Sequence, residues 1–318
     1  MTAAGGRGEG TILFGGSGFL GPYILRANPE MISVGRTAPP VPNRHIQVAS
    51  LADLQCLRDI SFDRVIFIVG NTDHYAMERE IIPQGEMNAF DYHVIPLIQA
   101  MEQLKLYKLK KFILFSSVLV YDEKKISIPV SETAPIDPYR NRYVMSKYLA
   151  EEVARFYSNW VPIITVRLAN LYGPTPLERF DLIHVVSRKL VRDGRAEVWS
   201  RRPKRDFIYV EDAAKAVKQL LHSDYTGVVN LGTGIMTEVG EVIDTLQEVS
   251  GCPIVDLDIA VQGPMDFQVD TATIFRLIDW RPEVPMREGI RRTYLAMKRH
   301  LSAGSREVEE SADDATRD

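Results

Sequence analysis

Thr11-Ile-Leu-Phe-Gly-Gly-Ser-Gly-Phe-Leu-Gly21 reads as a short buried strand, Thr11 to Phe14, running into a glycine turn and then a helix through Arg26. A strand, a glycine turn and a helix in that order make a phosphate cradle. Glycines let the backbone turn tightly and approach a pyrophosphate, and the free N–H groups and dipole of the helix N-terminus favour its charge. The run fits Gly-x-Gly-x-x-Gly from Gly16 and Gly-x-x-Gly-x-x-Gly from Gly15. Tight glycine turns with nothing bound are common, so the strand before and the helix after carry the reading. The candidate cofactor contacts in the turn are Gly15, Ser17, Gly18, Phe19, Leu20 and Gly21.

Beyond the turn, apolar β-rich runs alternate with helical stretches: Val65 to Val69, a helix near Met87 to Leu106, Phe112 to Phe115, a helix from Arg142 to Tyr157, then Ile163 to Arg167. That alternation predicts an α/β fold, a doubly wound parallel (Rossmann) sheet, with a smaller C-terminal α/β substrate-binding domain. Ligands of such sheets lie outside the carboxyl ends of the strands. Val69 ends one such run and is a further candidate cofactor contact.

About 20 residues past the glycine turn, dinucleotide folds often carry an acid for the ribose hydroxyls of NAD. Here Met31-Ile-Ser-Val34 is followed by Gly35-Arg36-Thr37, with no carboxylate. Arg36 can instead pair with a 2′-phosphate through forked, charged hydrogen bonds, which favours NADP over NAD. An arginine after a strand is otherwise an ordinary solvated side chain.

Arg142-Tyr-Val-Met-Ser-Lys-Tyr148 sets Tyr143 and Lys147 four apart, 26 residues beyond Ser116-Ser117. Residues i and i+4 share a helix face, so the Lys147 ammonium is expected beside the Tyr143 phenol, favouring its ionised form. Bringing a tyrosine from ~10 to about 7 takes roughly 4 kcal/mol of differential stabilisation, which a cation plus hydrogen bonds to the phenolate can supply. The spacing also occurs on plain amphipathic helices, and serines after a strand are commonly turn formers. Together with the glycine turn, Ser117, Tyr143 and Lys147 become an acid/base site for hydride chemistry.

The 318 residues suit a nucleotide-binding domain with a smaller companion. We divide the chain into a flexible N-terminus (1–10), a dinucleotide-binding domain (11–168) and a mainly substrate-binding region (169–300). Within that region 206–232 is expected to return to the first domain, and 301–318 is expected to be a disordered acidic tail. Residues 303–318 carry six acidic and two basic side chains, a charge of −4 equal to that of the whole chain, so the remainder is balanced. That argues against nucleic-acid binding. Cys56 and Cys252 lack metal or redox spacing, which suggests reduced thiols and a cytoplasmic protein. No apolar leader or membrane-length run is expected. The six histidines lack paired ligand spacing, so no metal is expected. Asp91 and His93, two apart on a helix, diverge and make a poor acid/base pair; Asp73 and His74 read as a polar loop.

The second half adds Arg167-Leu-Ala-Asn-Leu-Tyr-Gly-Pro174, Arg205-Asp-Phe-Ile-Tyr-Val-Glu-Asp212, Asn230-Leu-Gly-Thr-Gly234 and Trp280-Arg-Pro282. With these motifs the chain, over about residues 11–298, closely resembles the extended short-chain dehydrogenase/reductase family, the NAD-dependent epimerase/dehydratase group acting on nucleotide sugars. The resemblance implies that Ser117, Tyr143 and Lys147 do the chemistry, Lys147 also touching the nicotinamide ribose, and that Asn170 and Arg205 touch the diphosphate of a nucleotide sugar. It further implies a homodimer.

Departures from the family pattern narrow the expected activity. Val118-Leu119 follow Ser117 where family dehydratases carry Asp-Glu, decarboxylases a nearby Glu, and 3,5-epimerases a Cys. Hydride transfer at C4 remains. A 4-keto sugar reductase using NADPH is the first expectation, and a 4-epimerase with retained NAD the alternative. Phe67-Ile-Val-Gly70 replaces a His-Leu-Ala-Ala-like strand end, Phe90 aligns with the Asn that often heads the next helix, and Ser50 with an adenine-facing Asp. A second phosphate-binding Arg is missing near residues 259–263. A non-catalytic dinucleotide sensor or assembly subunit on the same fold is a reading of another class.

Overall fold

The computed structural model describes residues 9–71, 87–261 and 263–315, and the side chains of residues 9–303 within them. The expected flexible residues 1–8 and the Asp73-His74 loop lie outside the described residues.

Seven parallel strands form the main sheet. In chain order the first six are β1 (Thr11–Phe14), β2 (Ile32–Gly35), β3 (Arg44–Gln47), β4 (Arg64–Phe67), β5 (Lys111–Ser117) and β6 (Ile163–Leu168). The seventh, β10 (Gly227–Leu231), comes after three strands that lie outside this sheet, β7 (Asn170–Tyr172), β8 (Ala196–Val198) and β9 (Lys204–Tyr209). The sheet order is β10-β6-β5-β4-β1-β2-β3. Strand β10 comes from late in the chain and pairs with β6 through Leu231 opposite Leu168. The chain direction reverses across the sheet between β1 and β4, the switch point at which such sheets take their ligands.

Every residue of β5 is buried, as expected of a central parallel strand covered on both faces. Its alternate side chains divide between two cores. Ile113 packs with Leu13, Ile66, Ile164, Val166 and Val229 on one face. Phe112 and Leu114 pack with Ile12, Phe14, Val65 and Phe67 on the other. Phe112 is fully buried and stacks on Phe67 at 6.0 Å; truncating such a ring costs about 3–5 kcal/mol.

Helices α1 (Gly21–Ala27), α2 (Ala89–His93), α3 (Ile95–Leu104), α4 (Arg142–Tyr157), α5 (Leu182–Asp193) and α6 (Val210–Leu220) connect or cover these strands. A separate core joins Tyr172, Ile183, Leu190, Val198 and Tyr209 to Val242, Leu246 and Tyr294. Val242 and Leu246 lie on α7 (Val239–Ser250), and Tyr294 lies beyond the short helix α8 (Ala272–Leu277) on α9 (Met286–Ala315). β9 pairs with β7 and with β11 (Met236–Glu238), and β8 pairs with β12 (Ile254–Asp256).

Several expectations differ from this architecture. The helix expected near Met87 to Leu106 is two helices that break at Val94, because Pro96 lacks the N–H to continue the ladder. Asn88, two residues before Phe90, heads the first of them: its side chain accepts from the Phe90 and Asp91 amides while Asp91 accepts from the Asn88 amide. Asp91 is thus a capping residue and does not face His93. Ser116 and Ser117 are the last residues of β5 rather than a loop after it. Helix α9 continues through Ala315, across most of the segment for which acidic composition predicts disorder; its Ala, Glu and Arg are strong helix formers.

Candidate active site

The glycine turn lies at the carboxyl end of β1 and is packed so tightly that glycine is required. Gly15 takes φ +91°, and a Cβ there would stand 2.9 Å from the Ile68 carbonyl carbon and the Val69 amide nitrogen. At Gly21 a Cβ would lie 2.4 Å from the Gly16 oxygen, whereas at Gly18 it would meet only the Gly15 oxygen at 3.4 Å. The turn is closed against β4 and open over Gly18, a shape that accepts a pyrophosphate close to the backbone. Arg36 stands exposed just past β2. With strands about 4.8 Å apart, the ends of β2, β1, β4 and β5 form a row along which a dinucleotide can lie.

Ser117, Tyr143 and Lys147 converge at the β5 end of this row. The Ser117 hydroxyl lies beside the Tyr143 phenol, close enough to favour its ionised form, and Ser117 Oγ accepts the Leu119 amide at 3.2 Å. Asn141 caps α4 by accepting the Val144 amide at 2.8 Å, which fixes the helix start just before Tyr143. Lys147 Nζ donates to the Phe115 carbonyl at 3.3 Å and lies over the Tyr143 ring, 5.9 Å from its centroid.

The expected lowering of Tyr143 is not met. Burial pushes the phenol above its ordinary value, and the Ser117 hydroxyl and Arg179 guanidinium only partly oppose it. Burial also lowers Lys147 to about 8 against the pull of Glu151. The physical reason is shared: both groups sit in a low-dielectric pocket that disfavours either charge.

Four residues not singled out as catalytic surround the trio. His93 meets Tyr143 edge-on, and its Nδ1 is 2.8 Å from Ser146 Oγ. Arg179 lies over the Phe19 ring at 4.2 Å and pairs with Asp181 at 2.8 Å, tying the glycine turn to the segment after β7. Beneath Lys147, Glu151 pairs with Arg167 on β6. Only the i+4 spacing of Glu151 from Lys147 was readable in the chain; the other contacts depend on tertiary packing.

Asn170 and Arg205 lie on neighbouring strands β7 and β9, Asn170 two residues beyond Leu168, the partner of Ser117 in the main sheet. Asn170 Nδ2 donates to the Asp206 carbonyl at 3.0 Å. Arg205 Nη1 donates to the Lys204 and Met265 carbonyls at 2.9 and 3.1 Å. Burial lowers the Arg205 guanidinium, while Asp266 and Glu123 hold it charged. The fully buried Asp206 carboxylate accepts from Thr233 and Gly234 and so pins that loop against β9. Among the described residues no cluster of three His, Cys, Asp or Glu is placed to hold a metal, and no helix is long and apolar enough to cross a membrane.

The model of the NAD dependent epimerase/dehydratase family matches residues 11–232. A putative UDP-glucose 4-epimerase of Methanocaldococcus jannaschii is 26% identical over 314 residues, covering 90% of this chain and 98% of the relative. The UDP-glucose 4-epimerase of Azospirillum brasilense is also 26% identical, covering 91% and 92%. In fold, the chain is similar to the UDP-glucose 4-epimerase of Thermotoga maritima solved with UDP-glucose, with a TM-score of 0.79 at 22% identity over 92% of this chain and 99% of that one.

Proposed function

The chain belongs to the NAD dependent epimerase/dehydratase family, and from that premise we propose that it is a nucleotide-sugar 4-epimerase that retains NAD. The observation that carries the reading is the hydroxyl pair of Tyr143 and Ser117 at the end of β5, with Lys147 one turn along α4. A bound nicotinamide dinucleotide supplies a hydride acceptor and donor. Tyr143, once its buried phenol has given up its own proton, would take the proton of the sugar 4-hydroxyl and give it back as the alcohol re-forms. Ser117 holds the same oxygen by hydrogen bonding, and Lys147 holds the cofactor ribose. Val118 and Leu119 place no acid beside Ser117, which favours chemistry confined to C4. The core around Tyr172, Tyr209 and Val242 is read as the substrate lobe, with Asn170 and Arg205 facing the diphosphate.

The names of the two curated relatives favour the epimerase over the reductase. The exposed Arg36, with no carboxylate beside it in sequence, favours the second reading, a 4-keto sugar reductase that uses NADPH. Acid release of small molecules from the purified protein, followed by chromatography, distinguishes them. The epimerase reading expects stoichiometric NAD and conversion of UDP-glucose to its C4 epimer without added cofactor. Protein free of dinucleotide that oxidises NADPH with a 4-keto nucleotide sugar overturns it.

A further inference from the structure

Below Lys147, at the next turn of α4, a buried polar chain runs across the sheet. Glu151 accepts Ser116 Oγ at 2.5 Å and is clamped by Arg167, whose Nε reaches Oε1 at 3.0 Å and Nη2 reaches Oε2 at 2.7 Å. Arg167 is held in turn by the Glu132 carbonyl at 3.0 Å and by the face of Tyr121 at 4.8 Å. Tyr121 donates to Asn230 on β10 at 2.6 Å. Ser116, Glu151 and Arg167 are all more than nine-tenths buried.

A buried ion pair contributes little net stability compared with apolar side chains of the same shape. Its placement asks for another explanation. We propose that Glu151 is a positioning residue for Lys147, its carboxylate locked by Arg167 and Ser116 one helical turn from the ammonium so that this lysine stays charged in a dry site. The inference rests on the reading above that Lys147 belongs to the active site.

Among the described residues, the groups facing Lys147 leave Glu151 as its counter-charge. From β5 comes the Phe115 carbonyl. From α2 comes His93, which burial and Lys147 itself keep well below its ordinary value and therefore neutral. The backbone at Gly70 passes close by, where a Cβ would be 3.6 Å from Nζ. From α4 itself come the phenol of Tyr143 and the carboxylate of Glu151, and from β6 the Arg167 guanidinium, turned onto Glu151 in a two-pronged contact. The opposite charge of Glu151, one helical turn away, favours the ionised lysine against the effect of burial.

Competitive acetylation of the full chain with acetic anhydride, read by mass spectrometry at the Lys147 peptide across neutral to alkaline pH, measures this charge without substrate or cofactor. Wild type is expected to titrate at about 8. In Glu151→Gln the midpoint should fall by about one unit or more. Should Arg167, left without its partner, prevent that variant from folding, Glu151→Gln/Arg167→Gln removes both charges and is titrated in its place, with a smaller fall in the same direction expected because loss of the cation offsets part of it. A Lys147 midpoint unchanged in a folded variant, with only the melting temperature lowered, overturns the proposal. Because no turnover is measured, loss of the 4-epimerase reading leaves this outcome independent.

Discussion

The imidazole of His93 meets the ring of Tyr143 edge-on, with centroids 5.5 Å apart and planes at 84°. Ser146 ties the two together: its hydroxyl donates to the Tyr143 carbonyl at 2.7 Å and lies 2.8 Å from His93 Nδ1. Burial, and then the charge of Lys147, push His93 well below its ordinary value. A base whose folded value is lowered stabilises the fold above its unfolded value of about 6.5 and loses that contribution as pH falls toward the folded value. Stability should therefore begin to fall as pH drops below about 6.5, and His93→Gln should move the onset of acid unfolding to lower pH. Circular dichroism across an acid titration checks this; identical onsets would rule it out.

Tyr143→Phe removes the hydroxyl that Ser117 contacts and little else, because the ring keeps its packing against His93. Turnover should drop by about 10² to 10⁴, the scale for a placed proton-transfer group, while fold and cofactor affinity persist. A variant within a fewfold of wild type means that Tyr143 is not the acid/base.

Lys147 costs stability where it stands. Its folded value of about 8 lies below the ordinary 10.5, so the unfolded chain binds more protons between those limits and stability should rise with pH across that window. Lys147→Met should abolish that slope and stabilise the protein at neutral pH by as much as about 3 kcal/mol, while weakening cofactor binding and turnover. Urea denaturation at neutral and alkaline pH is the measurement, and a variant less stable than wild type at neutral pH contradicts it.

With NAD as the proposed cofactor, Arg36→Ala should leave NAD affinity within a fewfold. A loss of about 1.5–3 kcal/mol for NADPH with NADH untouched, seen by calorimetry, would instead assign Arg36 to a 2′-phosphate and favour the reductase.

Arg205→Ala should weaken nucleoside diphosphate binding by roughly 2 kcal/mol, about 30-fold, without changing cofactor affinity. Titration with UDP, GDP, dTDP, CDP and ADP tests the substrate class directly. If none binds more tightly than millimolar and the variant turns over normally, the nucleotide-sugar reading falls.

The glycine turn and the alternation of apolar runs made the parallel sheet legible, because both are local signals. The i+4 spacing likewise put Tyr143 and Lys147 on one helix face. What was not legible depends on which faces meet. Pro96 splits one expected helix, and Asn88, not the Phe90 position, caps its first half. His93 stands near Asp91 in sequence, whereas its contacts are Ser146 and Tyr143, about fifty residues away. The protonation of the site also lay beyond the chain's pattern, since spacing gives the neighbour of a phenol but not the burial that governs both charges.

Strand β6 ends at Leu168, yet its neighbour β10 begins at Gly227. On the ribosome the nucleotide-binding sheet therefore waits, one edge open, while the segment between them is synthesised. An open edge invites pairing with other chains. A fragment that stops after Leu168 contains the glycine turn, Ser117, Tyr143 and Lys147, but leaves that edge bare and Tyr121 without its Asn230 partner. The two halves of this molecule are thus not separable modules, and attempts to graft a new substrate lobe onto its first 168 residues must carry β10 along.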